Sequence, residues 1–189
     1  MSRFILDCSV AVAWCIEDEA HPSTDRLLDS LKSGEALVPS LWPLEISNVL
    51  LMAERRGRLT RAQAFQCLEM LRALPIAVDE STSSRAMGDI LSLARDQGLS
   101  VYDAAYLELS IREALPLATR DQVLATAAKR CGVPLTGERN RTVNDALAKE
   151  LLSIRRRKLT ERLRTHRKKG PAVGTEDIVA ALRKDRENH

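Results

Sequence analysis

The amino-terminal stretch Arg3-Phe4-Ile5-Leu6-Asp7-Cys8-Ser9 places three apolar residues directly before a carboxylate and, two residues later, a hydroxyl. The apolar run predicts a buried β-strand. An unpaired carboxylate at the end of a buried strand is strongly disfavoured. Asp7 therefore needs a cation partner, a metal ion or a position at the solvent-facing end of the strand. The other acids that could meet Asp7 in space are the natural candidates for a shared site.

Short apolar strands alternate with helical stretches along residues 1–137. Strands are predicted over residues 3–8, 36–39, 75–78, 116–119 and 132–135. The alternation predicts an α/β domain with a mainly parallel sheet, covered by helices on both faces. We place the end of this domain near Gly137 and assign residues 138–189 to a basic, helical extension.

The composition is that of a globular protein, with 44% apolar and 29% charged residues. Aromatic residues make up only 3%, which argues against base stacking as the main mode of nucleic-acid binding. The four cysteines form no C-x-x-C pair, so zinc is not indicated. No signal peptide and no apolar run of membrane-spanning length are recognised. We therefore expect a cytoplasmic protein with free thiols and no membrane partner.

Charge is distributed unevenly between the two parts of the chain. Residues 1–137 contain 14 Lys and Arg against 18 Asp and Glu, a net charge of −4. Residues 138–189 contain 15 Lys and Arg against 8 Asp and Glu, a net charge of +7. An acidic body with a basic tail indicates that the tail meets either the body or a polyanion.

Four acids fall at one predicted edge of the sheet, where the carboxyl ends of parallel strands gather ligands. Such a group of carboxylates is tolerated when divalent cations lie among its members, and oxygen-only ligation favours Mg²⁺ or Mn²⁺. Two hydroxyls, Ser9 and Thr119, each lie two residues from an acid and could support the carboxylates. The four acids, called the site acids below, are Asp7, Glu45, Asp103 and Asp121.

Each site acid also has a purely structural interpretation. Ser100 and Asp103 have the spacing of a helix capping box. Glu45 in the first turn of a helix complements the helix dipole. Asp121 could cap the helix that follows it. Asp7 is the hardest to explain without a ligand, and the coincidence of all four acids at one edge is more informative than any single acid.

Residues 1–137 resemble a PIN-domain ribonuclease toxin of the VapC type. The resemblance rests on four motifs that occur in the family's order, and no departure is found at the site acids. Singly each motif is weak, and together they are specific. The motifs are Phe4-Ile5-Leu6-Asp7-Cys8-Ser9, Pro43-Leu44-Glu45-Ile46-Ser47-Asn48-Val49-Leu50, Ser100-Val101-Tyr102-Asp103-Ala104-Ala105-Tyr106 and Leu117-Ala118-Thr119-Arg120-Asp121.

This resemblance implies a Mg²⁺- or Mn²⁺-dependent endoribonuclease that cleaves structured RNA, often tRNA or rRNA, and typically forms a homodimer. It implies that the four site acids bind the metal and carry catalysis. Ser9 and Thr119 would be supporting groups, and Asn48 would assist near Glu45.

The tail carries a second, weaker resemblance, to the toxin-binding end of a VapB-type antitoxin. It rests on Leu163–Gly170 (LRTHRKKG) and on Thr175–Arg186 (TEDIVAALRKDR). In such antitoxins a helix fills a groove on the toxin and a basic residue reaches the acids, a role that would fall to Arg183, Lys184 or Arg186. A guanidinium can hold a carboxylate through two bonds where a metal would otherwise lie. The resemblance thus implies a toxin fused to its own inhibitory segment.

Two other interpretations remain open from the sequence. The basic tail could instead help an active ribonuclease to bind RNA, which would make binding strongly salt-dependent. The body could also be a PIN-like binding module without catalysis, although its complete set of acids argues against this.

Overall fold

The computed structural model describes residues 3–16 and 21–136. Four parallel strands form one sheet in the order β3-β2-β1-β4. The strands are β1 (Arg3–Leu6), β2 (Glu35–Pro39), β3 (Ile76–Asp79) and β4 (Leu117–Ala118). The sheet is flanked by helices, which confirms the predicted α/β class with a parallel sheet.

Eight α-helices and one π-helical turn connect the strands within the described residues. The turn joins two short helices into one continuous segment, which ends at Gly98 in a left-handed conformation, with φ of 66°. The elements are α1 (Cys8–Cys15), α2 (Pro22–Ser30), α3 (Trp42–Arg55), α4 (Arg61–Arg72), α5 (Thr82–Arg85), the π turn (Ala86–Ile90), α6 (Leu91–Gln97), α7 (Val101–Glu113) and α8 (Gln122–Arg130).

The centre of the sheet is also the centre of the hydrophobic core. In β1, Phe4, Ile5 and Leu6 are buried, as expected for an internal strand of a parallel sheet covered by helices. Helix α7 packs across β1, β2 and β4. The chain runs outward from β1 to β2 and β3, and then returns to place β4 on the other side of β1. The strand order therefore reverses at β1, which is where α/β sheets form ligand crevices.

Two predicted strands differ from the structure. The first ends at Leu6 rather than at residue 8, because α1 already begins at Cys8. The strand predicted over residues 132–135 is reduced to one parallel bridge between Leu117 and Leu135. Its two bonds run from Leu117 N–H to Pro134 O and from Thr136 N–H to Leu117 O, each 2.9 Å long. Pro134 has no N–H to extend the ladder, so pairing stops there.

The tail and the predicted domain boundary at Gly137 lie outside the described residues, so the basic helical extension over 138–189 stays a prediction. Within the part of the chain that is described, no helix is long and apolar enough to cross a membrane.

Candidate active site

Asp7 lies at the carboxyl end of the central strand and is completely buried, with 0% exposure. Its backbone is the N-cap of α1, and its N–H donates to Ala118 O at 3.0 Å, which fixes it beside the end of β4. Two hydroxyls donate to its Oδ2: Ser9 at 2.5 Å and Thr119 at 2.7 Å. Both hydroxyls that the sequence analysis predicted as supporting groups therefore orient the Asp7 carboxylate.

The loop after β4 is tied to the same group. Thr119 Oγ1 donates to Asp7 and accepts from the Asp121 N–H at 3.0 Å, and Ser9 Oγ accepts from the Arg120 N–H at 3.0 Å. Asp121 Oδ1 accepts from the Leu124 N–H at 2.8 Å, so Asp121 does cap α8. The interpretation of Asp121 as a helix cap is thus correct. The Thr119 hydroxyl also links the backbone of Asp121 to the Asp7 carboxylate.

Glu45 lies in the first turn of α3 and is held by a partner that the sequence analysis did not identify. Tyr106 on α7 donates its hydroxyl to Glu45 Oε2. Tyr106 is 0% exposed. Burial, together with the charges of Glu45, Cys8 and Asp7, raises its pKa well above the ordinary value, so the phenol stays protonated and can only donate to the carboxylate. The spacing Asp103-x-x-Tyr106 could have pointed to Tyr106 as a site residue, because residues three apart share a helix face.

Asp103 is buried at the start of α7 and is held by Ser100. Ser100 Oγ accepts from the Asp103 N–H at 3.1 Å and donates to Asp103 Oδ2 at 2.7 Å. The Ser100 half of the predicted capping box is therefore formed. Asp103 lies one turn before Tyr106, so the face of α7 that holds Glu45 also carries Asp103.

The roles of the remaining predicted site residues stay predictions. Asn48 is exposed on α3, one turn after Glu45, so its assisting role stays a prediction. Arg183, Lys184 and Arg186 lie outside the described residues.

The donor chemistry of the site acids fits a hard divalent cation, because every donor is a carboxylate oxygen. Over residues 3–16 and 21–136, no three acidic, histidine or cysteine side chains group tightly enough to hold one ion between them. Magnesium is commonly bound through one or two carboxylates, with water and substrate phosphates completing its octahedron. The site therefore fits an ion held by one or two of these acids, rather than an all-protein cage.

Comparison with known proteins agrees with this architecture. A family model described as the PIN domain matches residues 4–130. The chain belongs to the PIN-domain family. All four site acids lie within the matched range, so the family assignment includes the whole candidate site.

A curated relative of this PIN domain is Ribonuclease VapC3 of Pyrobaculum aerophilum. The two sequences are 28% identical over 123 residues, which cover 65% of this chain and 92% of the relative. The match spans nearly the whole relative and leaves about a third of this chain without a counterpart.

Two solved structures share the fold. PAE2754 from Pyrobaculum aerophilum has a TM-score of 0.52 and 22% identity, covering 67% of this chain and 84% of its own. VapBC2 from Rickettsia felis, solved bound to a DNA fragment from its promoter, has a TM-score of 0.52 and 14% identity, covering 70% of this chain and 96% of its own. At these identities the likeness supports the PIN fold alone.

Proposed function

We propose that this PIN-domain protein is a divalent-metal-dependent endoribonuclease, acting as the toxin of a toxin–antitoxin system. The observation that carries the proposal is Asp7, a fully buried carboxylate at the point where the strand order reverses. Two hydroxyls fix its orientation, and one of them also holds the backbone of Asp121. A curated relative named as a ribonuclease supports the choice of RNA as substrate.

One or two of the site acids would hold Mg²⁺ or Mn²⁺ together with the scissile phosphate. The bound ion would lower the pKa of a water molecule and stabilise the charge that develops on the phosphate. The protein contributes orientation. Ser9 and Thr119 fix Asp7, Tyr106 fixes Glu45, and Ser100 fixes Asp103. Carboxylates held in advance need not reorganise when the substrate binds, which is the protein's contribution to catalysis.

The RNA target, the assembly and the protein partner are proposed from membership of the same family. We expect a structured RNA such as tRNA or rRNA as the target, a homodimer as the assembly and a VapB-type antitoxin as the partner. The VapBC2 structure of Rickettsia felis, which shares the fold, supports the choice of partner.

Cleavage of RNA by the purified full-length chain, before and after Arg183, Lys184 and Arg186 are changed to alanine to release the inhibition proposed below, tests the proposal. We expect cleavage in Mn²⁺ or Mg²⁺, its loss in EDTA and its return when metal is added back. Asp7→Asn should lower the rate by about 100-fold or more, because metal stabilisation of the transition state is a matter of several kcal/mol.

Glu35→Gln is the matched control, because it removes an acid at the opposite, amino-terminal edge of the sheet. It should cleave like the wild type. Cleavage by Asp7→Asn at the wild-type rate would reject the metal site, whereas RNA binding without cleavage in any metal would favour the binding-module interpretation.

We further propose that residues 138–189 act as an antitoxin-like inhibitory segment. The charge difference of −4 against +7 supports this, because an acidic site attracts a basic tail. Changing Arg183, Lys184 and Arg186 together to alanine in the full chain should raise ribonuclease activity. If the tail instead captures RNA, the same variant should bind RNA more weakly, cleave more slowly and show a shallower salt dependence.

A further inference from the structure

Tyr106 connects the two helices that carry Glu45 and Asp103. Its hydroxyl, on α7, donates to Glu45 Oε2, on α3, across 61 residues of sequence. The ring is completely buried in the main core. A hydroxyl at that depth costs stability unless it has a partner, and here the partner is a carboxylate. Phenylalanine would fill the same volume without that requirement, so packing alone does not explain the choice of tyrosine.

The chemistry of the donor matters as much as its position. The Tyr106 hydroxyl donates directly to one site acid, Glu45, and its own helix carries a second, Asp103, one turn earlier. A lysine or arginine at this position would neutralise Glu45 and compete with a bound cation. A neutral hydroxyl fixes one carboxylate oxygen and leaves the negative charge of the carboxylate in place. This is the pattern by which hydrogen-bond partners orient metal ligands.

We propose that Tyr106 is a positioning residue that holds the Glu45 carboxylate in place for cation binding. This inference rests on the proposed function. The inference goes beyond that function by assigning a role to a completely buried residue, which would act on the cation only through Glu45. The alternative is that the bond merely fastens α3 to α7.

Metal binding without RNA separates the two roles. Mn²⁺ is titrated into the full chain and followed by electron paramagnetic resonance or calorimetry. Tyr106→Phe should weaken Mn²⁺ binding about tenfold, the usual effect of losing a partner that orients a metal ligand. Raising the Mn²⁺ concentration should restore most of the cleavage activity. A purely structural bond predicts a lower unfolding temperature in metal-free buffer, with unchanged Mn²⁺ affinity in the folded protein.

Tyr102→Phe is the matched control. Tyr102 lies on the same helix, directly before Asp103, and is 58% exposed. The Tyr102→Phe variant also loses one tyrosine hydroxyl and should bind Mn²⁺ like the wild type. Equal weakening in both variants would overturn the proposal.

A double-mutant cycle keeps the proposal testable if Tyr106→Phe loses stability. In a Glu45→Gln background, Tyr106→Phe should cause no further loss of Mn²⁺ affinity, because its only route to the metal has been removed. A similar loss in both backgrounds would overturn the positioning role. If Mn²⁺ bound neither the wild type nor the variant in which Arg183, Lys184 and Arg186 are changed to alanine, the proposed function itself would be rejected. Wild-type binding that Tyr106→Phe leaves within twofold would reject only the role of Tyr106.

Discussion

Two strands of this sheet end in the same local pattern. At the end of β1, Asp7 is followed two residues later by Ser9, and at the end of β3, Asp79 is followed two residues later by Ser81. In both places the serine hydroxyl donates back to the aspartate, at 2.5 Å and 2.8 Å. A threonine hydroxyl adds a second bond in each case, from Thr119 at 2.7 Å and from Thr82 at 2.8 Å.

The two strand ends differ in what the rest of the fold brings to them. Arg112 of α7 reaches Asp79 Oδ2 at 3.0 Å and Glu108 Oε1 at 3.1 Å, and Arg85 reaches the same Glu108 oxygen at 3.3 Å. The end of β3 is therefore a network in which guanidinium groups neutralise the acids. At the end of β1, the Asp7 carboxylate accepts from the hydroxyls of Ser9 and Thr119, and Thr119 also holds the backbone N–H of Asp121. Long-range partners and strand order, rather than the local pattern, therefore separate a structural aspartate from a candidate catalytic one.

The largest effect expected from this comparison is on stability at the end of β3. Asp79→Asn should lower the free energy of unfolding by about 1–3 kcal/mol, because it leaves the mostly buried Arg112 without its carboxylate partner. The cleavage rate of the folded variant should stay within about twofold of wild type, in contrast to Asp7→Asn. Urea unfolding and cleavage assays measure the two quantities.

Asp89→Asn is the control for that variant. Asp89 pairs with Arg85, but its side chain is 68% exposed, and an exposed ion pair contributes at most about 1 kcal/mol. If Asp89→Asn lowered the free energy of unfolding as much as Asp79→Asn does, the network at the end of β3 would be no more stabilising than a surface ion pair.

Much of the fold could be predicted because local rules act on adjacent residues. The apolar run of β1 and the cap at Ser100 each depend on neighbours within four residues. The prediction of a full strand at residues 132–135 was wrong. Its pairing depends on Leu117, which lies on a distant segment, and is limited by Pro134.

The candidate site was predictable in part for the same reason. The ends of two strands indicated Asp7, Asp121 and the two hydroxyls, and the first turns of two helices indicated Glu45 and Asp103. The Tyr106–Glu45 bond was not predictable, since it joins two helices 61 residues apart. Nor could the sequence distinguish Asp79 from Asp7, because Arg112 lies 33 positions beyond Asp79 and only the packing of α7 brings it there.

A matched pair of isosteric changes tests the threonine hydroxyls at the two strand ends. Thr119→Val removes the hydroxyl that orients Asp7, and Thr82→Val removes the equivalent hydroxyl at Asp79. Thr119→Val should lower the cleavage rate about tenfold, since a hydrogen bond to a charged group contributes about 1.5–3 kcal/mol and 1.36 kcal/mol is a factor of ten. Thr82→Val should lower the free energy of unfolding by about 1–2 kcal/mol and leave cleavage unchanged. If each variant showed the other's effect, the roles assigned to the two strand ends would be reversed.

The smallest expected effect is the pH dependence of the β3 network. Burial opposes ionisation of Asp79, but the hydroxyls of Thr82 and Ser81 and the guanidinium of Arg112 together lower the pKa of this carboxyl below its ordinary value. A carboxyl whose pKa is lower in the folded state stabilises the protein at every pH above the unfolded value of about 3.9. That contribution is lost as the pH falls from there through the folded pKa, because the protonated acid no longer pairs with Arg112.

The free energies of unfolding of wild type and Asp79→Asn should therefore differ by a constant amount between pH 5 and pH 7 and converge below about pH 4. Urea unfolding of both proteins across this range measures the difference. A gap that persisted in full at the lowest pH would show that the Asp79 contribution comes from packing and neutral hydrogen bonds rather than from its charge.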